Sequence, residues 1–272
     1  MEISEGSCEV DDSRGVYGLT RGLAACWNAG MPKTFVRAAA PLYEQIRQLI
    51  VSAMAAGEWR PGEALPSEAA LAKRYGASPG TVRRALDELA ALNLVERRQG
   101  AGTFVATHTA PRDSYRFLRL VADDGAKGFE RELLHGRRAR ASAAIAQQLQ
   151  LRPAEPVIEL RRVLRRRGVV VVQDDLWLPE RQFEGLTEAV ARAYAGTLYA
   201  LFEERFGVHM VRAEEKLRAV AAGPDEAAAF GLPQGAPLLS VERVAYTYGD
   251  RPVEVRRGLY RTDADHYRNE LN

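Results

Sequence analysis

Residues 65–106 read L-P-S-E-A-A-L-A-K-R-Y-G-A-S-P-G-T-V-R-R-A-L-D-E-L-A-A-L-N-L-V-E-R-R-Q-G-A-G-T-F-V-A, and this stretch decides the fold of the first half of the chain. A helix begins after Pro66, with Ser67 as N-cap and Glu68 in the first turn, where a carboxylate suits the helix dipole. Its apolar positions are Ala70, Leu71 and Tyr75, and Gly76 supplies the C-terminal stop. Ser78 then caps a second helix, and Pro79 sits at N1, where its missing N–H costs nothing. That helix turns Val82, Leu86 and Leu89 inward, at i, i+4 and i+7. Thr81, Arg83 and Arg84 are left on the other face. Helices joined by so short a turn form a helix-turn-helix, whose second helix enters the major groove of DNA. Residues 94–98 follow as a strand, Gln99 to Gly102 as a turn, and residues 103–105 as a return strand. This hairpin reads as a wing, with Arg97 and Arg98 beside its tip.

Upstream, residues 41–57 supply a supporting helix with Leu42, Ile46, Leu49, Ile50 and Ala53 at helical spacing and Gly57 as its stop. Four segments carry a resemblance: P-L-Y-E-Q-I-R from residue 41, G-E-W-R-P-G-E-A-L-P-S-E-A-A-L-A from 57, S-P-G-T-V-R-R-A-L from 78 and L-V-E-R-R-Q-G-A-G-T-F-V from 94. Together they resemble the winged-helix domain of GntR-type bacterial transcription regulators across residues 41–105. The resemblance implies a double-stranded DNA operator as partner. Ser78, Thr81, Arg83 and Arg84 on the helix, and Gln99 and Gly100 on the wing, are the candidate base readers. Ser67, Arg97 and Arg98 are the candidate phosphate contacts. The family pattern has an arginine after the Ser-Glu of the first helix and another after the capping serine. This chain has Ala69 and Pro79 there. Arginine to guanine is the commonest specific base contact, so Arg83 becomes the expected base reader.

The chain has 272 residues, 46 % of them hydrophobic, and a net charge of +2. That length suits two domains. A small net charge is compatible with DNA binding when the arginines are clustered. No apolar run approaches the ~18 residues that span a bilayer, and the acidic start, M-E-I-S-E-G, lacks the features of a signal peptide. Cys8 and Cys26 both precede the first domain, so no disulfide framework is expected in the folded part. His108, His135, His209 and His266 show no metal-ligand spacing. No metal, no cofactor and no membrane partner are expected, and the expected location is the cytoplasm. Residues 1–36 read as a disordered tail, with M-P-K-T-F-V-R from Met31 as a short basic arm and Met31 as an alternative start.

Residues 107–114, T-H-T-A-P-R-D-S, read as a linker between domains at 37–106 and 115–272. The second half reads as α+β. Strands are expected at 129–140, 156–165, 169–178, 209–221, 238–248 and 252–261, and helices at 141–151, 187–195, 197–206 and 224–230. Strands that arrive in hairpins favour an antiparallel sheet, here with its helices on one side. Glu254, Arg256, Gly258 and Tyr260 alternate and so share one face of a strand. Charged groups on an inner face point to a concavity rather than to plain core packing. Five arginines crowd residues 161–167, and such a run also reads as a solvated strand edge. Asp174 against Asp175 is a question of register. Tyr199, at core spacing with Leu198 and Phe202, reads as core.

The segments A-Q-Q-L-Q-L-R-P-A-E-P-V-I-E-L-R-R from residue 146, D-L-W-L-P from 175, T-L-Y-A-L-F-E-E-R-F-G from 197, F-G-L-P-Q-G-A-P-L-L-S-V-E-R from 230 and R-P-V-E-V-R-R-G-L-Y-R from 251 resemble the effector-binding domain of the HutC subfamily. That domain is similar in fold to chorismate lyase. The expected fold class is therefore α+β: an N-terminal winged helix-turn-helix domain, then a chorismate-lyase-like antiparallel-sheet effector domain. The resemblance implies a pocket for a small metabolite. By matched position, Arg162 meets anionic ligand groups, Asp174 is an acidic contact, and Glu254 and Tyr260 line the same pocket. A urocanate-like acid, an amino-sugar phosphate or a phosphonate would suit these groups. The implied protein is a homodimeric, metabolite-responsive repressor on an inverted-repeat operator. The rival readings are a DNA binder without gating and a lyase-like enzyme. No catalytic Ser/His/Asp or Cys/His constellation is visible, and fold likeness alone grants no activity.

Overall fold

The structure is a computed structural model that describes residues 40–107 and 117–269, all within the unit Ala40–Asn272. The expected tail, the basic arm and all of the linker except Thr107 lie outside the described residues.

The head is built as its caps dictate. Helix α1 (Leu42–Ala55) is followed by α2 (Glu68–Tyr75) and α3 (Pro79–Ala91), then by strands β1 (Val95–Arg98) and β2 (Gly102–Val105), paired antiparallel. The Ser67 hydroxyl accepts from Ala70 N at 3.2 Å, and the Ser78 hydroxyl accepts from Thr81 N at 3.2 Å. Gly76 closes α2 at φ 61°, in the left-handed region that a glycine enters without a Cβ penalty. Ile46, Ile50, Leu71, Val82, Leu86, Leu89, Val95 and Val105 form the core, with Trp59 and Leu65 sealing its edge. Two expectations about inward positions differ. Leu42 and Leu49 of α1 are exposed while Met54 is buried, and on α2 Ala72 is buried in place of Ala70.

The second half is a six-stranded antiparallel sheet in the order β4 (Glu130–Arg140), β5 (Pro156–Arg166), β6 (Val169–Pro179), β9 (Arg251–Tyr260), β8 (Pro237–Thr247), β7 (Arg212–Ala221). Its helices lie on both faces, which corrects the one-sided expectation. Helices α5 (Glu188–Ala193) and α6 (Leu198–Phe206) pack on Ile158, Leu160, Leu176 and Leu178. On the opposite face, α4 (Ala143–Gln148) packs on Val157, Trp177 and Val255, and α7 (Pro224–Phe230) packs on Val163, Val170 and Leu238. Neighbouring residues of one strand thus serve opposite faces, and both faces are apolar enough to need a cover. Two short strands, β3 (Leu120–Ala122) and β10 (Asp265–Tyr267), pair with each other and cover the rest of the α6 face with Leu118.

Head and sheet share one packed seam. Tyr248, in the turn between β8 and β9, belongs to the same buried cluster as the head core, with Val51, Leu94 and Val211 packed against it.

Candidate functional site

The outward face of the head carries a hydrogen-bonded arginine cluster. Arg83 of α3 donates from Nε to Glu68 Oε2 at 2.9 Å, and Arg97 of β1 donates from Nη1 to Glu68 Oε1 at 3.0 Å. Arg97 Nη2 also reaches Asp87 Oδ1 at 2.7 Å and the Arg83 carbonyl at 3.3 Å. The hydrogen bond from Arg83 holds the Glu68 carboxyl below its ordinary range. The other expected DNA contacts have local duties. Arg84 stacks back on the Tyr43 ring at 3.7 Å, away from the reading face. Arg98 lies over Phe104 at 4.3 Å and pairs with Glu96 at 3.0 Å. Ser78 and Thr81 share a side-chain hydrogen bond of 2.8 Å, and Ser67 is spent on its cap. Gln99 and Gly100 are exposed at the wing tip, where Gly100 takes φ 73°.

The sheet holds a buried ionic network on the face that α6 covers. Strand pairing places Arg162, Asp174 and Gly258 in one transverse row and Arg256, Arg243 and Glu215 in the next. Arg162 donates twice to Asp174 Oδ2, at 3.0 and 2.8 Å, and Arg256 Nη1 lies 3.2 Å from the same oxygen. Arg256 also grips Glu254 through two bonds of 3.0 Å, and the Tyr199 hydroxyl donates to Glu254 Oε1 at 2.9 Å. Arg243 pairs with Glu215 at 2.6 Å and donates to the Phe117 carbonyl. Register settles the aspartate: Asp174 is buried, while Asp175 pairs with Arg161 on the opposite face.

Burial alone would push the Asp174 carboxyl up, but the Arg256 and Arg162 guanidiniums more than reverse this and hold it below its ordinary value. Burial and the Glu254 carboxylate push the Tyr199 phenol up to about 12, so it is a donor at neutral pH. Burial likewise raises the Tyr260 phenol, with Asp174 adding to the shift. Beside this network two of the buried atoms that have no hydrogen-bond partner among the described residues are Asp174 Oδ1 and the Tyr260 hydroxyl. They flank Gly258, where an added Cβ would come within 2.8 Å of Asp174 Oδ1 and 2.6 Å of the Tyr260 ring.

In front of this network lies a cavity lined by Phe117, Arg162, Thr197, Tyr199, Arg243 and Arg256, with Leu118 and Leu198 completing it. It offers about 20 Å3 to the centre of a water-sized sphere, which is room for roughly one water. Its charged lining is entirely guanidinium. Thr197 also caps α6, accepting from Ala200 N at 3.2 Å, so a helix N-terminus opens on the same space. A second hollow of about 170 Å3, lined by Arg131, Leu133, Arg192 and Tyr194, shares Arg162 and Leu198 with the first. Of the expected pocket residues, Arg162 lines the cavity; Asp174 and Glu254 stand behind it and hold its arginines, and Tyr260 is buried beside Asp174 without lining it. Arg243, Arg256, Thr197 and Phe117 line the cavity without having been expected as ligand contacts, and Arg243 is the charged one that sequence reading had not singled out. Its signal is the alternation Leu239, Val241, Arg243, Ala245, an arginine in an otherwise apolar row. Tyr199, expected as core, is both core and cavity wall. Among the described residues no group of three or more His, Cys, Asp or Glu could hold a metal ion, and no helix is long and apolar enough to cross a membrane.

A head shaped to lay one helix in a DNA groove, joined to a sheet that encloses a guanidinium-lined cavity, defines a class: DNA-binding regulators with a sensing domain. Residues 42–105 match the family of bacterial regulatory proteins called gntR, and residues 127–266 match the UTRA domain. The chain belongs to the GntR family of bacterial transcriptional regulators. It is 29 % identical to the mannosyl-D-glycerate transport/metabolism system repressor MngR of Escherichia coli, over 82 % of this chain and 92 % of that one. It is 28 % identical to the histidine utilization repressor of Pseudomonas putida, over 81 % and 88 % of the two chains. A crystal structure of the ligand-binding domain of a regulator assigned to the GntR family, from Bordetella bronchiseptica, is 55 % identical, covers 58 % of this chain and 99 % of its own, and superposes with a TM-score of 0.57. These relatives are regulators and not enzymes, and they agree with the subfamily expected from the sequence motifs.

Proposed function

We propose that the protein is a cytoplasmic repressor that holds an inverted-repeat operator as a homodimer and releases it when a small anionic metabolite enters the cavity beside Arg162, Arg243 and Arg256. The observation that carries this reading is the lining. Cationic groups and a helix N-terminus face the space, and the carboxylates of Asp174 and Glu254 sit behind them as anchors. A phosphate, phosphonate or carboxylate satisfies such a lining with charge-assisted hydrogen bonds. MngR and the histidine utilization repressor are named for systems that handle an anionic sugar acid and an amino acid, which fits that chemistry.

Size supplies the gating. Ligand sites usually need ~300 Å3 or more, so entry must widen the cavity, and Leu198 at the start of α6, which lines both hollows, is the residue whose movement would join them. Helix α6 is tied to the head side as well. Glu203, one turn beyond Tyr199, accepts from Thr107 Oγ1, two residues past the wing strand, and lies 3.3 Å from His209 Nδ1. The His209 ring lies 5.8 Å from that of Tyr248, in the seam with the head. A ligand that moves α6 therefore binds the two head arrangements with different free energies, which is what gating requires.

The test is a thermal-shift screen of anionic metabolites followed by operator-binding titration. Ligands that stabilise the protein are expected to weaken its hold on DNA. A protein stabilised by none of them, with operator affinity intact, favours the reading of a DNA binder without gating.

A further inference from the structure

Sequence reading assigns DNA recognition to arginines, hydroxyls and the wing-tip residues Gln99 and Gly100, and to no carboxylate. The head places a carboxylate between its recognition helix and its wing. Glu68 is only partly exposed, with 23 % of its side chain accessible, against 64 % for Arg83 and 37 % for Arg97. Its two oxygens divide between two elements: Oε2 takes Arg83 Nε and Nη2, both at 2.9 Å, and Oε1 takes Arg97 Nη1 at 3.0 Å. The recognition helix α3 and the wing strand β1 are thus fastened to the first turn of α2 through one side chain. Nη1 and the outer hydrogen of Nη2 remain for a base edge.

We propose that Glu68 is a positioning residue for sequence reading: it fixes the Arg83 guanidinium and sets the angle between recognition helix and wing. This rests on the head binding DNA. The physical reason is entropic and electrostatic. An arginine free to rotate neutralises any phosphate within reach, and only a held one discriminates a base edge. With Ala69 and Pro79 in place of arginines, Arg83 carries a larger share of that discrimination. A carboxylate next to DNA also repels phosphate, so Glu68 weakens non-specific binding while sharpening the specific kind.

The two effects give a signature that a purely structural residue lacks. The probe is a duplex selected by the wild-type, full-length protein from a randomised pool, compared with a scrambled duplex of equal length. Glu68→Ala and Glu68→Gln are expected to bind the scrambled duplex as tightly as wild type or tighter. Their preference for the selected duplex is expected to fall about tenfold or more, the scale of one lost base contact. Fresh selection with either variant should relax the same position that Arg83→Ala relaxes. Parallel loss of both affinities would mark Glu68 as structural and overturn the proposal, as would unchanged preference. Thermal midpoints close to wild type show that the variants fold, and the glutamine variant, which keeps size and one acceptor, carries the test if the alanine variant does not. Failure of the wild-type protein to enrich any sequence counts against DNA reading itself, a separate result.

Discussion

Asp174 is the anchor of the cavity's charge. It is fully buried, and two guanidiniums depend on it. Removing one partner of a buried ion pair strands the other, at a cost of about 3–5 kcal/mol. Asp174→Asn is therefore expected to lower unfolding free energy by that order in urea denaturation at neutral pH. Because the native carboxyl titrates below its ordinary value of about 3.9, its contribution is complete above that pH and is lost as pH falls through the depressed native value. Acid unfolding below pH ~4 should accordingly be shallower in the asparagine variant, since that titration is gone. At the head, Arg83→Ala should cost ~1–3 kcal/mol of operator binding and relax one operator position. A uniform loss over all sequences would make Arg83 a phosphate contact. The residues that sequence could place were those with a local rule. Ser67, Ser78 and Gly76 follow from capping, and the alternation of Glu254 to Tyr260 follows from the pleat. Arg243 and Tyr199 could not be placed with equal ease. Their role depends on non-local partners: Tyr199 of α6 bonds Glu254, 55 positions away, and Arg243 meets Glu215 only through the register of β8 with β7.

At the scale of elements, α6 is the piece with a function at each end. Tyr199 and Thr197 touch the cavity, while Glu203 holds Thr107 and faces His209. Glu203→Gln is expected to leave ligand affinity near wild type and to reduce the ligand's effect on operator affinity by ~1 kcal/mol or more, out of the 1–3 kcal/mol typical of such coupling. Operator titrations with and without saturating ligand measure it. An undiminished ligand effect would rule out this route. The helix was legible from Thr197 and Gly207, its cap and its stop, but its duty at both ends was not, because Thr107 and Glu203 are 96 positions apart. The pair β3 and β10 escaped notice for a related reason. Each strand has three residues, too few to display a period. Helices α4 and α7 were expected, but their place on the second face was not, because Val157, Val163 and Val255 read equally well as members of a one-sided core.

For the whole molecule, a net charge of +2 leaves affinity to the arginines of the head rather than to a general field. A dimer that sets two α3 helices in successive major grooves should protect two half-sites ~34 Å apart, related by inverted symmetry. Footprinting that found a single half-site, or a direct repeat, would contradict the two-fold arrangement. The central claim is that occupation of the arginine-lined cavity loosens the grip on DNA. It is tested most directly by operator affinity measured against a stabilising anionic ligand, in wild type and in Arg243→Ala. The account predicts that ligand weakens operator binding about tenfold or more in wild type and leaves the variant's binding unchanged. Equal operator affinity with and without bound ligand in the wild-type protein would contradict it.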